Sequence, residues 1–433
     1  MPTRLDTGDA GFAVAFAAWL AAARQPSADV DGAVAAILAE VRAQGDAALI
    51  SYTKRFDRLE LTPETLRVPP DELAAARGSC DAAALEALSL AARRIADFHR
   101  RQKPEDLDYV DEAGLRLGQR WSPLASVGLY VPGGTAAYPS TVLMNALPAM
   151  VAGVERLVMT VPAPDGTIDP LVLAATELAG VTEVYRVGGS QAIAALTFGT
   201  ETIQPVDKII GPGNAYVAAA KRQVFGAVGI DMIAGPSEIL VVADAANDPA
   251  WIAADLLSQA EHDACAQAIL ITDSTAFADA VVAAVDSHLE ALPRAQVAGA
   301  SWRDFGTVIT TGTLDEAVAL IERIAPEHVE LAVQEPDALA ARVRNAGAIF
   351  LGRFAPEAIG DYVAGPNHVL PTARSARFSS GLSVLDFLKR TSLIGCDVEG
   401  LEAVGPAAAT LARAEGLDAH ALSVTIRLNR PRR

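Results

Sequence analysis

The segment Leu256–His262 places an amide and an imidazole where both could bind a metal ion. Asp248-Pro249 before it is typical of a helix start, and apolar residues then recur at helical spacing. Gln259 and His262 are three residues apart, so they share one face of the predicted helix. Two ligands begin a metal site without completing it, and a solvated histidine at a helix end is the alternative interpretation of this segment alone.

Two distant segments offer further ligands. Asp361 lies in a glycine-rich loop, and Glu415 and His420 lie close together near the C-terminus. Together, Gln259, His262, Asp361 and His420 would place two nitrogen and two oxygen donors around one ion. Such a mixed set suits zinc, while manganese or cobalt stay open on ligand type.

A possible acid–base pair follows another predicted helix. Glu327 and His328 are adjacent, and a carboxylate beside an imidazole supplies two titrating groups whose pKa values can be set apart. Glu-His pairs are also common on protein surfaces, so the pattern alone leaves both interpretations open.

Three glycine-rich turns could bind phosphate through backbone amides. They are Tyr130–Gly134, Gly188–Gln191 and Gly211–Asn214, and each follows a predicted strand and precedes a predicted helix. None matches the G-x-G-x-x-G dinucleotide pattern. Nucleotide binding and ordinary tight turns therefore remain equal alternatives at this point.

The elements that must position these residues predict an α/β fold. From residue 126 onward, short apolar strands alternate with glycine-containing turns and helices. Residues 31–101 are predicted to be helical, and Phe12, Phe16 and Leu20 indicate an amphipathic N-terminal helix. Beyond Ser383 the pattern predicts short helices, with breaks at Pro406 and Gly416.

Composition narrows the class of protein. The 433 residues carry a formal net charge of −18, which argues against nucleic acid or an anionic membrane as a partner. The three cysteines are far apart and favour a reducing compartment. No basic leader and no membrane-length apolar run occur, so we expect a cytoplasmic protein.

The chain resembles the histidinol dehydrogenase family over almost its whole length. One matching block would be weak evidence, but the full set in order is specific. The blocks are Gly128–Gly134, Tyr138–Asn145, Gly211–Asn214, Asp231–Glu238, Asp255–His262, Pro326–His328, Gly365–Thr372, Ser383–Phe387 and Glu415–His420.

The resemblance implies an α/β fold of two incomplete Rossmann-like domains with parallel-rich sheets and helical N-terminal and C-terminal arms. The expected divisions are an N-terminal arm over 1–25, a first domain from 26–129 and 238–382, and an NAD domain over 130–237. A C-terminal unit over 383–433 would reach the partner subunit of a homodimer.

The resemblance also implies the role of each candidate site residue. Gln259, His262, Asp361 and His420 would bind one zinc ion per subunit. Tyr130, Gln191 and Asn214 would contact NAD. Ser237, His328 and Glu415 would hold the substrate, together with the metal and its four ligands. Glu327 and His328 would be the acid–base pair. Glu415 and His420 would come from the partner subunit.

The implied reaction is oxidation of L-histidinol to L-histidine through L-histidinaldehyde, with two NAD reduced in sequence. Zinc would orient the substrate, His328 would take protons, and Glu327 would activate the water that hydrates the aldehyde. A thiohemiacetal on Cys265 is a disfavoured variant, because nothing near it in sequence marks a stabilised thiolate.

Two alternatives remain at the level of sequence. One is a paralogous zinc- and NAD-dependent dehydrogenase acting on another polar alcohol, such as a sulfonated diol. Ser237 and Glu415 argue for histidinol instead, because a paralog would be expected to change its substrate-holding pair. The other is a non-enzymatic α/β ligand-binding protein, for which a secretion signal would be usual.

Overall fold

The computed structural model describes residues 1–22, 30–133, 138–233 and 235–429. The N-terminal part contains β1 (Thr3–Asp6), α1 (Phe12–Ala21), α2 (Asp31–Gln44), α3 (Asp46–Asp57), α4 (Pro63–Leu66), α5 (Pro70–Ala76) and α6 (Ala82–Arg100). It is followed by β2 (Leu107–Val110), β3 (Arg116–Pro123), β4 (Ser126–Tyr130), α7 (Pro139–Ala152), β5 (Arg156–Thr160), α8 (Pro170–Leu178), β6 (Glu183–Tyr185), α9 (Gly189–Phe198), β7 (Lys208–Ile210), α10 (Ala215–Val224) and β8 (Gly229–Ile230).

The second half begins with β9 (Glu238–Ala243), α11 (Pro249–Ala260), β10 (Gln267–Thr272), α12 (Thr275–Leu289), α13 (Ala295–Phe305) and β11 (Thr307–Thr310). It continues with α14 (Glu316–Ile324), β12 (His328–Ala332), α15 (Pro336–Ala340), β13 (Ala348–Leu351), α16 (Glu357–Tyr362), β14 (Leu388–Gly395), α17 (Val398–Ala414) and α18 (Asp418–Leu428).

A five-stranded parallel sheet has the order β6-β5-β4-β7-β8. Successive residues of a strand point to opposite faces of the sheet, so the apolar side chains of these strands contribute to one hydrophobic core on each face. One face packs against α2, α3, α9 and α10 and includes Tyr130 and Val158. The other face packs against α6, α7 and α8 and includes Leu129 and Met159.

A six-stranded parallel sheet has the order β1-β11-β10-β9-β12-β13. Its central strand β9 is buried along its whole length, as expected for a parallel sheet covered by helices on both faces. Helices α11, α12 and α13 cover one face, while α1 and α14 cover the other. A separate antiparallel sheet has the order β14-β3-β2.

The predicted α/β class with parallel sheets and helical termini is confirmed, with three local differences. The N-terminal arm begins with strand β1, which pairs with β11, and residues 23–25 of the predicted arm lie outside the described residues. Residues 388–395 form a strand paired with β3, whereas helices were predicted there. Pro406 lies inside α17 and does not end it, because packing against α18 stabilises the helix around the lost hydrogen bond. Gly416, at φ +73°, does separate the two helices.

The predicted domain boundaries stay a prediction. The packing favours grouping residues 31–100 with the five-stranded sheet, because α2, α3 and α6 belong to its two cores. No helix among the described residues is both long enough and apolar enough to cross a membrane.

Candidate active site

His328 is the first residue of β12 and its imidazole is held in one tautomer. Its Nδ1 lies 2.9 Å from the carbonyl oxygen of Glu238, so Nδ1 carries the proton and donates it there. Its Nε2 is buried and has no hydrogen-bond partner in the described part of the chain. Burial lowers the pKa of His328, although the charge of Asp361 opposes this. The residue is therefore a neutral imidazole with a free lone pair, which suits a general base.

Glu327 is fixed beside this imidazole. Its carboxylate accepts a hydrogen bond of 3.0 Å from the backbone N–H of Glu238. The carboxylate oxygen that accepts this bond lies 3.8 Å from His328 Nδ1. One backbone segment at the start of β9 thus positions both members of the predicted acid–base pair.

Gln259 and His262 lie at the end of α11, as the sequence predicted. Gln259 is fully buried and its amide is best oriented with the nitrogen donating to the carboxylate of Glu357. The amide oxygen then faces His262 Nδ1 at 3.3 Å. Two ligands of a tetrahedral zinc ion are about 3.4 Å apart when each is about 2.1 Å from the metal. The pair therefore fits two ligands of one zinc.

Asp361 is brought to the same place by the short helix α16. Among the described residues, one group of potential ligand atoms lies within 4.8 Å of one another, and it comprises His328, Glu357 and Asp361. Asp361 Oδ1 is 3.8 Å from His328 Nε2. The same helix carries Glu357, which contacts Gln259, so α16 connects Asp361 with the end of α11. A carboxylate, an amide oxygen and an imidazole are donors that suit zinc.

Sequence reasoning missed Glu357 and His368. The Glu357 carboxylate accepts from Gln259 and approaches His328 Nδ1 to 3.2 Å. His368 Nδ1 lies 2.9 Å from the carbonyl oxygen of Asp361. Burial lowers the pKa of His368, with the charges of Asp361 and His262 acting in opposite directions. The four-residue spacing of two acidic residues in α16 was the signal that could have found Glu357.

A buried carboxyl pair anchors the helix that carries these acids. Burial raises the pKa of Asp255 to about 6, and burial together with the charge of Asp255 raises that of Glu330 far above its ordinary range. Glu330 accepts a hydrogen bond from the backbone N–H of Glu357. This contact joins the start of α16 to β12 and so helps to place Asp361.

The turns after β4 and β6 form part of a cradle at the carboxyl end of the five-stranded sheet. Tyr130 Oη accepts a hydrogen bond of 3.1 Å from Gly189 N–H, and burial raises the pKa of Tyr130 to about 12. Gln191 Oε1 is buried without a hydrogen-bond partner among the described residues. A Cβ on Gly188 would lie 2.5 Å from Pro162 Cβ, so only glycine fits this close approach. Gly134, the end of the first turn, lies outside the described residues.

The turn after β7 is held by a buried ion pair. Asp231 accepts a hydrogen bond of 2.8 Å from Gly211 N–H, and Lys221 donates one of 2.9 Å to the Gly211 carbonyl. Lys221 and Asp231 also contact each other directly. Asn214 caps α10 by accepting from the backbone N–H groups of Tyr216 and Val217. Two helix N-termini, those of α9 and α10, thus face this end of the sheet, which suits an anionic dinucleotide.

The remaining predicted site residues do not all meet in one chain. Ser237 lies half-buried just before β9. Glu415 and His420 are exposed near the turn between α17 and α18, and in the described part of the chain neither forms a side-chain hydrogen bond or ion pair with the residues above. Within one chain, the ends of α11 and α16 therefore carry three of the predicted zinc ligands, while His420 lies apart from them on α18.

Known proteins match this chain over nearly its whole length. A family model described as histidinol dehydrogenase matches residues 20–428. The histidinol dehydrogenase of Rhodospirillum rubrum is 66% identical over 431 residues, and that of Ruegeria pomeroyi is 64% identical over 430; each alignment covers 99% of both chains. The crystal structure of histidinol dehydrogenase from Elizabethkingia anophelis has a TM-score of 0.94 at 36% identity, covering 99% of this chain and 98% of that one.

These matches extend over nearly the whole chain and both sheets, and they do not favour a paralogous or non-enzymatic alternative. The chain belongs to the histidinol dehydrogenase family, and it is an NAD-dependent oxidoreductase that acts on a CH–OH group.

Proposed function

We propose that the residues assembled here carry out the two successive oxidations of L-histidinol to L-histidine through L-histidinaldehyde. The observation that supports this most is the imidazole of His328. Its Nδ1 is fixed by the Glu238 carbonyl, and its buried Nε2 has no partner within the described residues. A base held in this way is ready to take the hydroxyl proton of an alcohol substrate.

Glu327 has the complementary role between the two oxidations. The aldehyde must be hydrated before it can lose a second hydride, and a carboxylate can take the proton of the attacking water. Glu327 is only 8% exposed in its side chain and is held by a backbone N–H, so its position is well defined. His328 then accepts the hydroxyl proton of the hydrate.

We assign NAD to the cradle at the carboxyl end of the five-stranded sheet, with contacts from Tyr130, Gln191 and Asn214. NAD, when bound, supplies the hydride acceptor for both steps. The buried Oε1 of Gln191, which has no hydrogen-bond partner among the described residues, and the two helix N-termini fit a ligand with both hydrogen-bond donors and phosphates. The local backbone donors overcome the negative net charge of −18.

We assign one zinc ion per subunit to Gln259, His262, Asp361 and His420. Zinc, when bound, orients the substrate through the imidazole and amino nitrogens of histidinol. The substrate would also contact Ser237, His328 and Glu415. The buried carboxylate of Glu357 keeps the amide oxygen of Gln259 turned toward the site.

We further propose a homodimer in which the second copy supplies Glu415 and His420. Both residues are exposed in one chain. The surrounding helical pair leaves large apolar side chains uncovered: Val398 is 65% exposed, Leu411 65%, Leu422 61% and Ile426 60%. Several large apolar side chains left exposed on one helical pair suit a surface that a second copy covers. The three cysteines form no disulfide among the described residues, which suits a reducing compartment, so we propose the cytoplasm as the location.

The test is NADH formation by the zinc-loaded protein on addition of L-histidinol, with the product identified by mass spectrometry. We expect two NADH per histidine formed. A sulfonated diol serves as the comparison substrate. Activity on the diol without activity on histidinol would refute this assignment in favour of a paralogous dehydrogenase, and no activity on either would refute the enzymatic assignment.

A further inference from the structure

Asp57, the last residue of α3, is a buried carboxylate that the proposed mechanism does not use. The residue is 8% exposed, and its Oδ2 has no hydrogen-bond partner within the described part of the chain. Burying a carboxylate oxygen without a donor is costly. A ligand that brings hydroxyl donors would remove that cost.

The neighbours of Asp57 show where it lies relative to the five-stranded sheet. Arg58 donates two hydrogen bonds to Asp165, of 3.0 and 2.6 Å, and Asp165 lies shortly after the carboxyl end of β5. Helix α3 also packs against α9, whose first turn carries Gln191. The end of α3 is therefore at the same edge of the sheet as the NAD cradle.

Asp57 also shares a face of the sheet with Tyr130. The phenol and the apolar residues of α3 belong to one hydrophobic cluster. The Asp57 carboxylate is close enough to contribute to the raised pKa of Tyr130. Two more buried polar atoms without described hydrogen-bond partners occur at this edge, Thr160 Oγ1 and Gln191 Oε1, and Thr160 pairs in register with Tyr130.

The strand order indicates which part of a dinucleotide would reach this point. Numbered along the chain from β4, the sheet has the order 3-2-1-4-5, which is the Rossmann order 3-2-1-4-5-6 without its last strand. In such sheets an acidic residue near the end of the second strand binds the adenosine ribose. Here the second strand, β5, is followed by Val161 and Pro162, and the carboxylate arrives from α3 instead.

We propose that Asp57 accepts hydrogen bonds from the adenosine ribose hydroxyls of NAD, and that it makes the site select NAD over NADP. This inference rests on the proposed NAD cradle. A ribose diol offers two donors to one carboxylate. A 2′-phosphate removes one donor and places a second anion against the carboxylate, in a buried environment where like charges repel strongly.

The experiment measures binding by isothermal titration calorimetry, without histidinol. The titrants are NAD, NADP and 2′-deoxy-NAD, and the proteins are the unmodified chain, Asp57→Asn and the control Asp165→Asn. The control removes an exposed carboxylate from the same locality. We expect the unmodified chain to bind NAD at least tenfold more tightly than either analogue. Each analogue lacks the 2′-hydroxyl, and the loss of one charge-assisted hydrogen bond is of that size.

In Asp57→Asn the NAD to NADP affinity ratio should fall about tenfold, whereas Asp165→Asn should keep it. Zinc content and the thermal midpoint of each variant report whether it is folded. An unchanged ratio in folded Asp57→Asn, or equal binding of NAD and 2′-deoxy-NAD by the unmodified chain, would overturn the role of Asp57. Failure of the unmodified chain to bind any of the three would instead overturn the NAD cradle itself.

Discussion

The buried pair Lys221–Asp231 provides a quantitative test of how the turn after β7 is held. The two side chains are 3% and 1% exposed, and both bind the backbone of Gly211. Replacing Lys221 by Met removes the ammonium group and leaves the Asp231 carboxylate buried without its counterion. It also removes the donor to the Gly211 carbonyl.

Breaking a buried ion pair by removing one partner costs about 3–5 kcal/mol. Unfolding entropies of about 2.1 cal/mol/K per residue give roughly 0.9 kcal/mol/K for 433 residues. Lys221→Met should therefore lower Tm by about 3–5 °C if the chain unfolds in one transition. The double variant, Lys221→Met with Asp231→Asn, should lose less Tm than the two single variants added together. The reason is that the double variant buries no unpaired charge.

Differential scanning calorimetry of the three variants measures these shifts, and calorimetric titration with NAD measures the consequence for the cradle. We expect weaker NAD binding in Lys221→Met and unchanged zinc content, because the proposed metal ligands lie on or beside α11, α16 and α18 and not at the turn after β7. Arg222→Met, which removes an exposed neighbour paired with Asp31, is the matched control and should leave both measurements unchanged. Additive losses in the double variant would refute the view that the two residues act as one unit.

The other predictions concern the acid–base pair and the metal ligands. Glu327→Gln should lower kcat by about 10²–10⁴-fold with zinc still bound, and an unchanged rate would remove Glu327 from the mechanism. Burial lowers the pKa of His328, so its basic form persists below the ordinary imidazole pKa of about 6.5. The acid limb of the pH profile of kcat/KM should therefore lie below that value, and a limb above it would contradict the assignment. His262→Asn and His420→Asn should each lose zinc by elemental analysis, and full occupancy in both would refute the ligand set. Mixed dimers of His420→Asn and Glu327→Gln chains should regain activity if each site uses both copies, and no rescue in verified mixed dimers would count against sharing.

Local pattern was enough to predict most strands and helices of the two sheets. The strand before the turn Gly211–Asn214 and the helix carrying Gln259 occur where predicted, because apolar periodicity and capping residues act over a few neighbours. Pro406 shows the limit of such reasoning. Packing of α17 against α18 is a tertiary contact, and it outweighs the local preference of proline to end a helix.

The candidate site was likewise predictable in part from the sequence. Residue type and the order of sequence blocks identified Gln259, His262, Glu327, His328 and Asp361 as candidates, but no spacing could show that they meet.

Only the folded chain shows that the Glu238 backbone fixes the tautomer of His328 and positions Glu327. It also shows that Glu357 orients Gln259 and that Asp57 lies buried near Tyr130, where we propose that NAD binds. Chemical identity is a property of each residue in the sequence. Burial, tautomer and contacts depend on groups far apart in the chain, so they are decided only when distant segments pack together.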